Sequence, residues 1–100
     1  MIKVNILKKD NKISNINILG HSGYDELGKD IVCASVSSIV TTTVNAIVRI
    51  DNNIEYNYDS GEIAINVINY SKTTDVLLNN MIDLLEELEK QYKKNIKINK

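Results

Sequence analysis

The sequence predicts a small single-domain α+β protein, residues 1–100, with the element order ββαββαβ and a mainly antiparallel sheet packed against two helices. Three patterns support this prediction. Two pairs of short alternating segments are each joined by a polar turn, each pair precedes a long apolar segment with helical spacing, and a short alternating segment follows near residue 97. A chain of 100 residues can bury one core without disulfides or metal ions.

The first hairpin is predicted over residues 2–19. Apolar and polar residues alternate over 2–6 and again over 15–19, on either side of the polar turn 9–12. Strands with this alternation bury one face. His21 therefore lies just beyond the end of the second strand.

A helix is predicted over residues 31–50. Apolar residues recur at positions 32, 36, 39, 40, 44, 47 and 48, which matches helical spacing better than alternation. The many valine, isoleucine and threonine residues disfavour a helix, but a strand of this length would be unusual. Asp30 is a favourable N-cap residue directly before the segment, and Cys33 then lies in the first helical turn.

The second hairpin, the second helix and a last strand are predicted over residues 55–98. Residues 55–58 and 63–67 flank the turn 59–61, whose glycine accommodates a positive φ. A helix over 74–92 has a charged face opposite an apolar stripe formed by Leu78, Met81, Ile82, Leu85 and Leu88. Residues 96–98 can add a short edge strand.

Composition argues against several classes of function. The formal net charge of −1 gives no basic field for nucleic acid. The single cysteine cannot form an internal disulfide, and strand-like alternation from Ile2 leaves no room for a targeting segment. No transmembrane run is recognised either. We therefore expect a cytoplasmic protein that binds neither a membrane nor nucleic acid directly.

The only histidine and the only cysteine, His21 and Cys33, flank a loop that contains Gly23 and Gly28. The free amides and the dipole at a helix N-terminus favour a thiolate at Cys33. A nearby imidazole would complete a nucleophile and base pair, and Gly23 and Gly28 would let the loop move. The structural alternative is that Cys33 is a small buried apolar residue and His21 a surface or capping residue.

Neighbouring groups are candidates for supporting roles. Ser37 lies one helical turn after Cys33, where its hydroxyl either orients the thiol or the imidazole or bonds back to a helix carbonyl. Asp30 either caps the helix or orients His21. The backbone amides of the first helical turn are candidate donors to an oxyanion.

Two other kinds of site are less well supported. The pattern G-x-x-x-x-G-K over 23–29 is similar to a phosphate-binding P-loop. Asp30, however, stands where Ser or Thr should bind magnesium, and two hairpins do not supply the parallel sheet of such enzymes. One cysteine and one histidine make half a zinc site, so we predict no metal and no cofactor.

The residues around His21 and Cys33 also resemble the motif of a known family, the Prp ribosomal-processing cysteine proteases. The matching residues are Gly20-His21-Ser22, Gly28-x-Asp30-Ile31-Val32-Cys33-Ala34 and Val36-Ser37. The chain length and the element order agree as well, so that the resemblance covers essentially the full length. Members of the family usually have alanine where this chain has Ser22, which is also small.

The resemblance implies a specific function. In the family the histidine and the cysteine form the catalytic dyad, which implies His21 and Cys33, and the shared motif brings in Asp30 and Ser37. Prp proteases are homodimers of the cytoplasm that remove the N-terminal extension of the large-subunit ribosomal protein L-twenty-seven, with a glycine-containing loop that rearranges around the substrate. The alternative is a non-catalytic, ribosome-associated binding module with the same fold.

Overall fold

The chain folds in the predicted order ββαββαβ. The structure is a computed structural model that describes residues 1–26 and 28–100, so that Leu27, which belongs to the predicted mobile loop, lies outside the described residues. The elements are β1 (Ile2–Lys9), β2 (Lys12–Leu19), α1 (Ile31–Ile50), β3 (Ile54–Asp59), β4 (Glu62–Val67), α2 (Lys72–Gln91) and β5 (Ile96–Asn99).

Strands β1 and β2 are joined by the two-residue turn Asp10-Asn11. Both residues have positive φ, 52° and 63°, as the centre of a type I′ hairpin turn requires. Asn and Asp adopt this conformation more readily than other residues with a side chain. Because this turn matches the twist of the strands, it sets the register with Lys9 opposite Lys12.

The five strands form one mixed sheet in the order β3-β4-β2-β1-β5. Neighbouring strands are antiparallel except β1 and β5, which pair in parallel with Ile2 opposite Ile96. The predicted mainly antiparallel sheet and the edge position of the last strand are confirmed. The parallel pairing was not predicted, because alternation within a strand does not identify its neighbour.

Helix α1 forms despite its β-branched composition because one side of it is buried. The buried residues are Val32, Val36, Val40, Val44 and Ile47, a row in which most members are four positions apart. Burial of these five aliphatic side chains outweighs differences in helix propensity of about a few tenths of a kcal/mol per residue. The predicted bounds 31–50 are confirmed.

One property of α1 was not predicted from the sequence. Its 20 residues, with a hydropathy of 1.8, are long and apolar enough to cross a membrane by length and composition alone. In the fold, its row of buried valines packs into the core beneath the sheet. A helix that packs into the core of a protein can therefore be as long and apolar as one that spans a membrane.

Helix α2 begins at Lys72 rather than at the predicted residue 74. Ser71 is the N-cap, and its hydroxyl accepts a hydrogen bond from the Thr74 amide at 3.0 Å. The same hydroxyl donates to the carboxylate of Asp51, which follows α1. The cap sets the start of the helix, whereas the apolar stripe marks only where burial begins.

The core lies between the two helices and one face of the sheet. Its fully buried large residues are Ile16, Ile47, Ile65, Leu78, Met81, Leu85 and Ile96. The other face carries polar residues such as Asn15, Asn17 and Asn66. In this two-layer arrangement the end of β2 and the first turn of α1 come together at the edge of the core.

We expect Leu78→Ala to lower the free energy of unfolding by about 2–5 kcal/mol, because Leu78 is fully buried and its truncation leaves a cavity. Urea unfolding of the purified protein measures this change. Val76→Ala is the matched control, since Val76 lies on the same helix and is 56% exposed. Equal effects of the two substitutions would contradict the described packing.

Candidate active site

A cleft opens where the end of β2, the first turns of α1 and the β3–β4 hairpin meet. Its volume is about 320 Å³. Buried Ile2, Ile18 and Val36 line it together with exposed His21, Ser37, Tyr58 and Glu62 and half-buried Cys33. The cleft therefore combines apolar surface with a thiol, an imidazole and hydroxyl groups.

A second depression of about 440 Å³ lies beside the first, next to the loop that follows His21. It is lined by His21, Gly23, Asp25, Asp30, Cys33 and Ser60. His21 and Cys33 are the two residues that line both depressions. An extended chain that passes from one depression to the other meets the imidazole and the thiol on its way.

The Cys33 thiol lies in the first turn of α1, as predicted. Its Sγ accepts a hydrogen bond from the backbone amide of Ser22 at 3.3 Å. This contact ties the sulfur to the backbone directly after His21.

The His21 side chain is exposed and lies over the β3–β4 turn. A Cβ atom added to Gly61 in that turn would be 3.6 Å from Nε2 of His21. The backbone before the histidine is fixed to the same turn, since the Gly20 amide donates to the Gly61 carbonyl at 2.8 Å. Within the described residues no hydrogen bond joins the imidazole to the thiol.

Gly20 has a conformation and surroundings that exclude other residues. Its φ is +91°, and a Cβ atom would lie 2.7 Å from the carbonyl oxygen of Met1. A side chain here would collide with backbone, which cannot move aside without disturbing β1. The glycine therefore allows His21 to leave the sheet beside the start of the chain.

Asp30 forms the helix cap rather than a contact to the imidazole. Its Oδ1 accepts from the amides of Val32 at 3.0 Å and Cys33 at 2.9 Å. Its Oδ2 accepts from the hydroxyl of Ser22 and from the amides of Tyr24 at 3.2 Å and Asp25 at 3.4 Å. One carboxylate thus joins α1 to the loop after His21, and no bond between Asp30 and His21 is present in the described chain.

These contacts change the pKa of the Asp30 carboxyl. Burial by itself raises the pKa, but the hydrogen bonds from the Ser22 hydroxyl and from the Cys33, Asp25 and Tyr24 amides outweigh it and lower the pKa from 3.8 to about 2. Asp30 is therefore ionised throughout the neutral range.

The expectation that first-turn amides are free to hold an oxyanion was wrong for three of them. Asp30 Oδ1 accepts from the amides of Val32 and Cys33, and the Asp30 carbonyl accepts from that of Ala34 at 3.0 Å. The N-cap that makes the helix start at this point uses the donors that were predicted for the substrate.

The structure places Ser37 on the exposed side of α1, where it lines the first cleft with Cys33. Its hydroxyl has no hydrogen-bond partner among the described residues. Ser35 makes the bond to a helix carbonyl that was considered for Ser37, donating to Ile31 at 2.7 Å. Ser37 thus lines the cleft, and its hydroxyl is free of the helix carbonyls among the described residues.

Gly23 and Gly28, the predicted hinge glycines, both have positive φ, 69° and 89°. Nothing lies within 4 Å of a Cβ atom added at either position. Both glycines therefore have open surroundings: Gly23 lies between Ser22 and Tyr24, which are bonded to Asp30, and Gly28 lies beyond these contacts.

Sequence reasoning missed two residues of the site. Ser22 is 2% exposed, and its amide, hydroxyl and carbonyl all make hydrogen bonds. The bond at its carbonyl comes from the side chain of Asn95 at 3.1 Å. The position of Ser22 beside His21 was a usable signal, but its hydroxyl was treated as a minor difference from alanine. Nothing local distinguished Asn95 from the many other asparagines.

A thiol at a helix N-terminus and an imidazole that lines the same cleft, on a small α+β fold, define a candidate cysteine hydrolase. Comparison with known sequences narrows this class. Residues 1–97 match the family described as "Cysteine protease Prp", and the chain belongs to that family.

The relatives of this chain carry the same description. The ribosomal processing cysteine protease Prp of Staphylococcus aureus is 31% identical over 99% of this chain and 98% of its own length. Two crystal structures of an essential ribosomal processing protease Prp from S. aureus also match, each with 31% identity over 99% of this chain and 98% of that one. The complex with a covalently linked product peptide has a TM-score of 0.93, and the complex with a substrate peptide has 0.88. The fold class predicted from sequence is that of these proteases.

The lowered pKa of Asp30 predicts how stability depends on pH. The carboxylate stabilises the fold above the unfolded-state pKa of about 3.9, and this contribution is lost as the pH falls through the folded-state pKa of about 2. We expect Asp30→Asn to be less stable than the wild type at pH 7, with the difference narrowing between about pH 4 and pH 2.

Urea unfolding at a series of pH values from 2 to 7 measures this difference. Asp83→Asn is the control, since Asp83 is an exposed carboxylate on α2. A difference between Asp30→Asn and the wild type that stays constant down to pH 2 would show that the hydrogen bonds do not favour the ionised form.

We also expect Gly20→Ala to destabilise the fold by more than about 1 kcal/mol, since it adds backbone strain and a collision with Met1. Gly23→Ala is the matched variant, because Gly23 also has positive φ but open surroundings. Urea unfolding should rank Gly20→Ala as the less stable of the two. The reverse order would contradict the close approach of Met1.

Proposed function

We propose that this chain is a cysteine endopeptidase in which the Cys33 thiolate is the nucleophile and His21 is the general acid and base. The observation that carries the proposal is that both side chains line both depressions of the site, where an extended peptide would pass. Membership of the cysteine protease family supports it. So does the peptide covalently linked to the related S. aureus protease.

The proposed reaction has two stages. Cys33 transfers its proton to His21 and attacks the carbonyl carbon of the scissile peptide bond, and the resulting intermediate collapses to a thioester as His21 protonates the departing amine. Water, deprotonated by His21, then attacks the thioester. This step releases the new carboxylate and restores the thiol.

The cleft suggests how the peptide is held. Apolar side chains at Ile18, Val36 and Ile63 offer contact to apolar side chains of the substrate, and exposed Ser37 lines the same space. We assign Ser37 a supporting role at the thiol or at the developing oxyanion. Gly23 and Gly28 would act as hinges for the loop between them as the peptide enters.

We further propose that the substrate is the N-terminal extension of the large-subunit ribosomal protein L-twenty-seven and that the enzyme works as a cytoplasmic homodimer without a cofactor. The ribosomal processing role of the S. aureus relative supports this substrate. The net charge of −1 also suits a basic ribosomal protein as the partner better than it suits RNA. Asp30 supports the reaction indirectly, by capping α1 and holding the loop.

Mass spectrometry of the extended ribosomal precursor, incubated with the protein under reducing conditions, tests the proposal. We expect the wild type to release one defined N-terminal peptide and Cys33→Ala to release none. His21→Ala should be slower by about 10²–10⁴-fold, the usual contribution of a general acid–base residue. Ser37→Ala should be slower than Ser38→Ala, because Ser38 lies on the same helix but does not line the cleft.

Cleavage by Cys33→Ala at the wild-type rate would contradict the assignment of the nucleophile. If the folded wild type binds the precursor without cleaving it, the chain is the non-catalytic binding module. Size-exclusion chromatography with light scattering tests the proposed homodimer separately, and a monomer at micromolar concentration would refute it.

A further inference from the structure

The backbone amide of Ser22 is the one protein donor to the Cys33 sulfur in the described part of the chain. The peptide group that carries this amide also carries the carbonyl of His21. The position of this peptide group therefore affects both the hydrogen bond to the sulfur and the placement of the His21 side chain. Whatever holds Ser22 holds both groups of the proposed dyad.

The side chain of Asn95 holds the backbone of Ser22 by a hydrogen bond. The Nδ2 of Asn95 donates to the Ser22 carbonyl at 3.1 Å across 73 positions of sequence. Asn95 is itself fixed on both sides, since its amide donates to the Tyr92 carbonyl at 2.9 Å and its carbonyl accepts from the Ile2 amide at 2.9 Å. It is therefore braced between the end of α2 and the start of β1.

A second contact holds the same segment in place. The ring of Tyr24 packs edge-on against the ring of Tyr92, with centroids 5.4 Å apart. Asn95 itself lines neither depression of the site. Ser22 and Tyr24 thus contact the junction of α2 and β5 through Asn95 and Tyr92.

We infer that Asn95 is a positioning residue for the Cys33 nucleophile: its side-chain amide holds the Ser22 carbonyl and so keeps the Ser22 amide on the sulfur, with His21 beside it. This inference rests on the proposed function, in which the Cys33 thiolate attacks the substrate. Without the Asn95 side chain, Ser22 can shift and its amide stabilises the thiolate less well. The thiol and the imidazole are both retained in such a variant.

The pH dependence of Cys33 alkylation by iodoacetamide tests this inference without a substrate, since the thiolate is the reactive form. We expect Asn95→Ala to react about tenfold more slowly than the wild type at neutral pH and equally fast at high pH, with the midpoint of the profile about one pH unit higher. This is the effect of weakening one hydrogen bond to a charged group. A purely structural role would lower the melting temperature and leave the midpoint of the folded protein unchanged.

Matched variants complete the experiment. Asn99→Ala removes an asparagine of β5 that bonds to Asn5, away from Ser22, and its profile should equal that of the wild type. Asn95→Asp keeps the size of the side chain but cannot donate to the Ser22 carbonyl when ionised. It should show the raised midpoint even if Asn95→Ala does not fold, and Asn99→Asp controls for the added charge.

The possible outcomes separate this inference from the proposed function. Wild-type profiles in Asn95→Ala and Asn95→Asp, with a reactive Cys33 and normal precursor cleavage, would overturn the role of Asn95 and leave the protease assignment standing. A raised midpoint in both Asn99 controls would overturn it as well. If the wild-type thiol reacts no faster than free cysteine and the precursor is not cleaved, the proposed function fails and this inference fails with it.

Discussion

The site depends on the way in which one carboxylate uses its two oxygens. Oδ1 of Asp30 accepts from two amides of α1, which fixes the start of the helix and hence the position of Cys33 in its first turn. Oδ2 accepts from the hydroxyl of Ser22 and from two loop amides, which fixes the chain after His21. Because the pKa of this carboxyl is lowered to about 2, the carboxylate and its hydrogen bonds persist throughout the neutral pH range. One side chain therefore links the helix that presents the thiol to Ser22, Tyr24 and Asp25 of the loop that follows the imidazole.

The rest of the site is held by the two ends of the chain. Met1 leaves just enough room for Gly20, and Asn95 reaches Ser22 from the position directly before β5. The antiparallel pairing of β1 with β2, with Lys3 opposite Leu19, brings Met1 beside Gly20. The parallel pairing of β1 with β5, with Ile2 opposite Ile96, brings Asn95 to the same end of the sheet. The backbone on both sides of His21 is thus fixed by segments that are remote in sequence, while its imidazole stays exposed. An exposed imidazole on a fixed backbone can approach a bound substrate without any rearrangement of the core.

The fold could be predicted almost completely because its signals are local. The two hairpins followed from alternation and turn residues, and α1 followed from the spacing of valines such as Val36 and Val40, whose burial overcame their poor helix propensity. The start of α2 was misplaced because Ser71 acts through its hydroxyl, which apolar periodicity does not reveal. The parallel partner of β5 was missed because neighbours in a sheet are chosen by packing of the whole chain.

The sequence by itself predicted the kind of chemistry that we propose, since it holds one thiol and one imidazole and puts the thiol in the first turn of a capped helix. It also left two roles for Asp30 open. Tertiary structure decided between them: the carboxylate is saturated by five donors, caps the helix and clamps the loop. It also brought the Asn95 side chain to the Ser22 carbonyl. A hydrogen bond between residues 73 positions apart depends on where folding places each backbone group. A local sequence pattern does not contain this information.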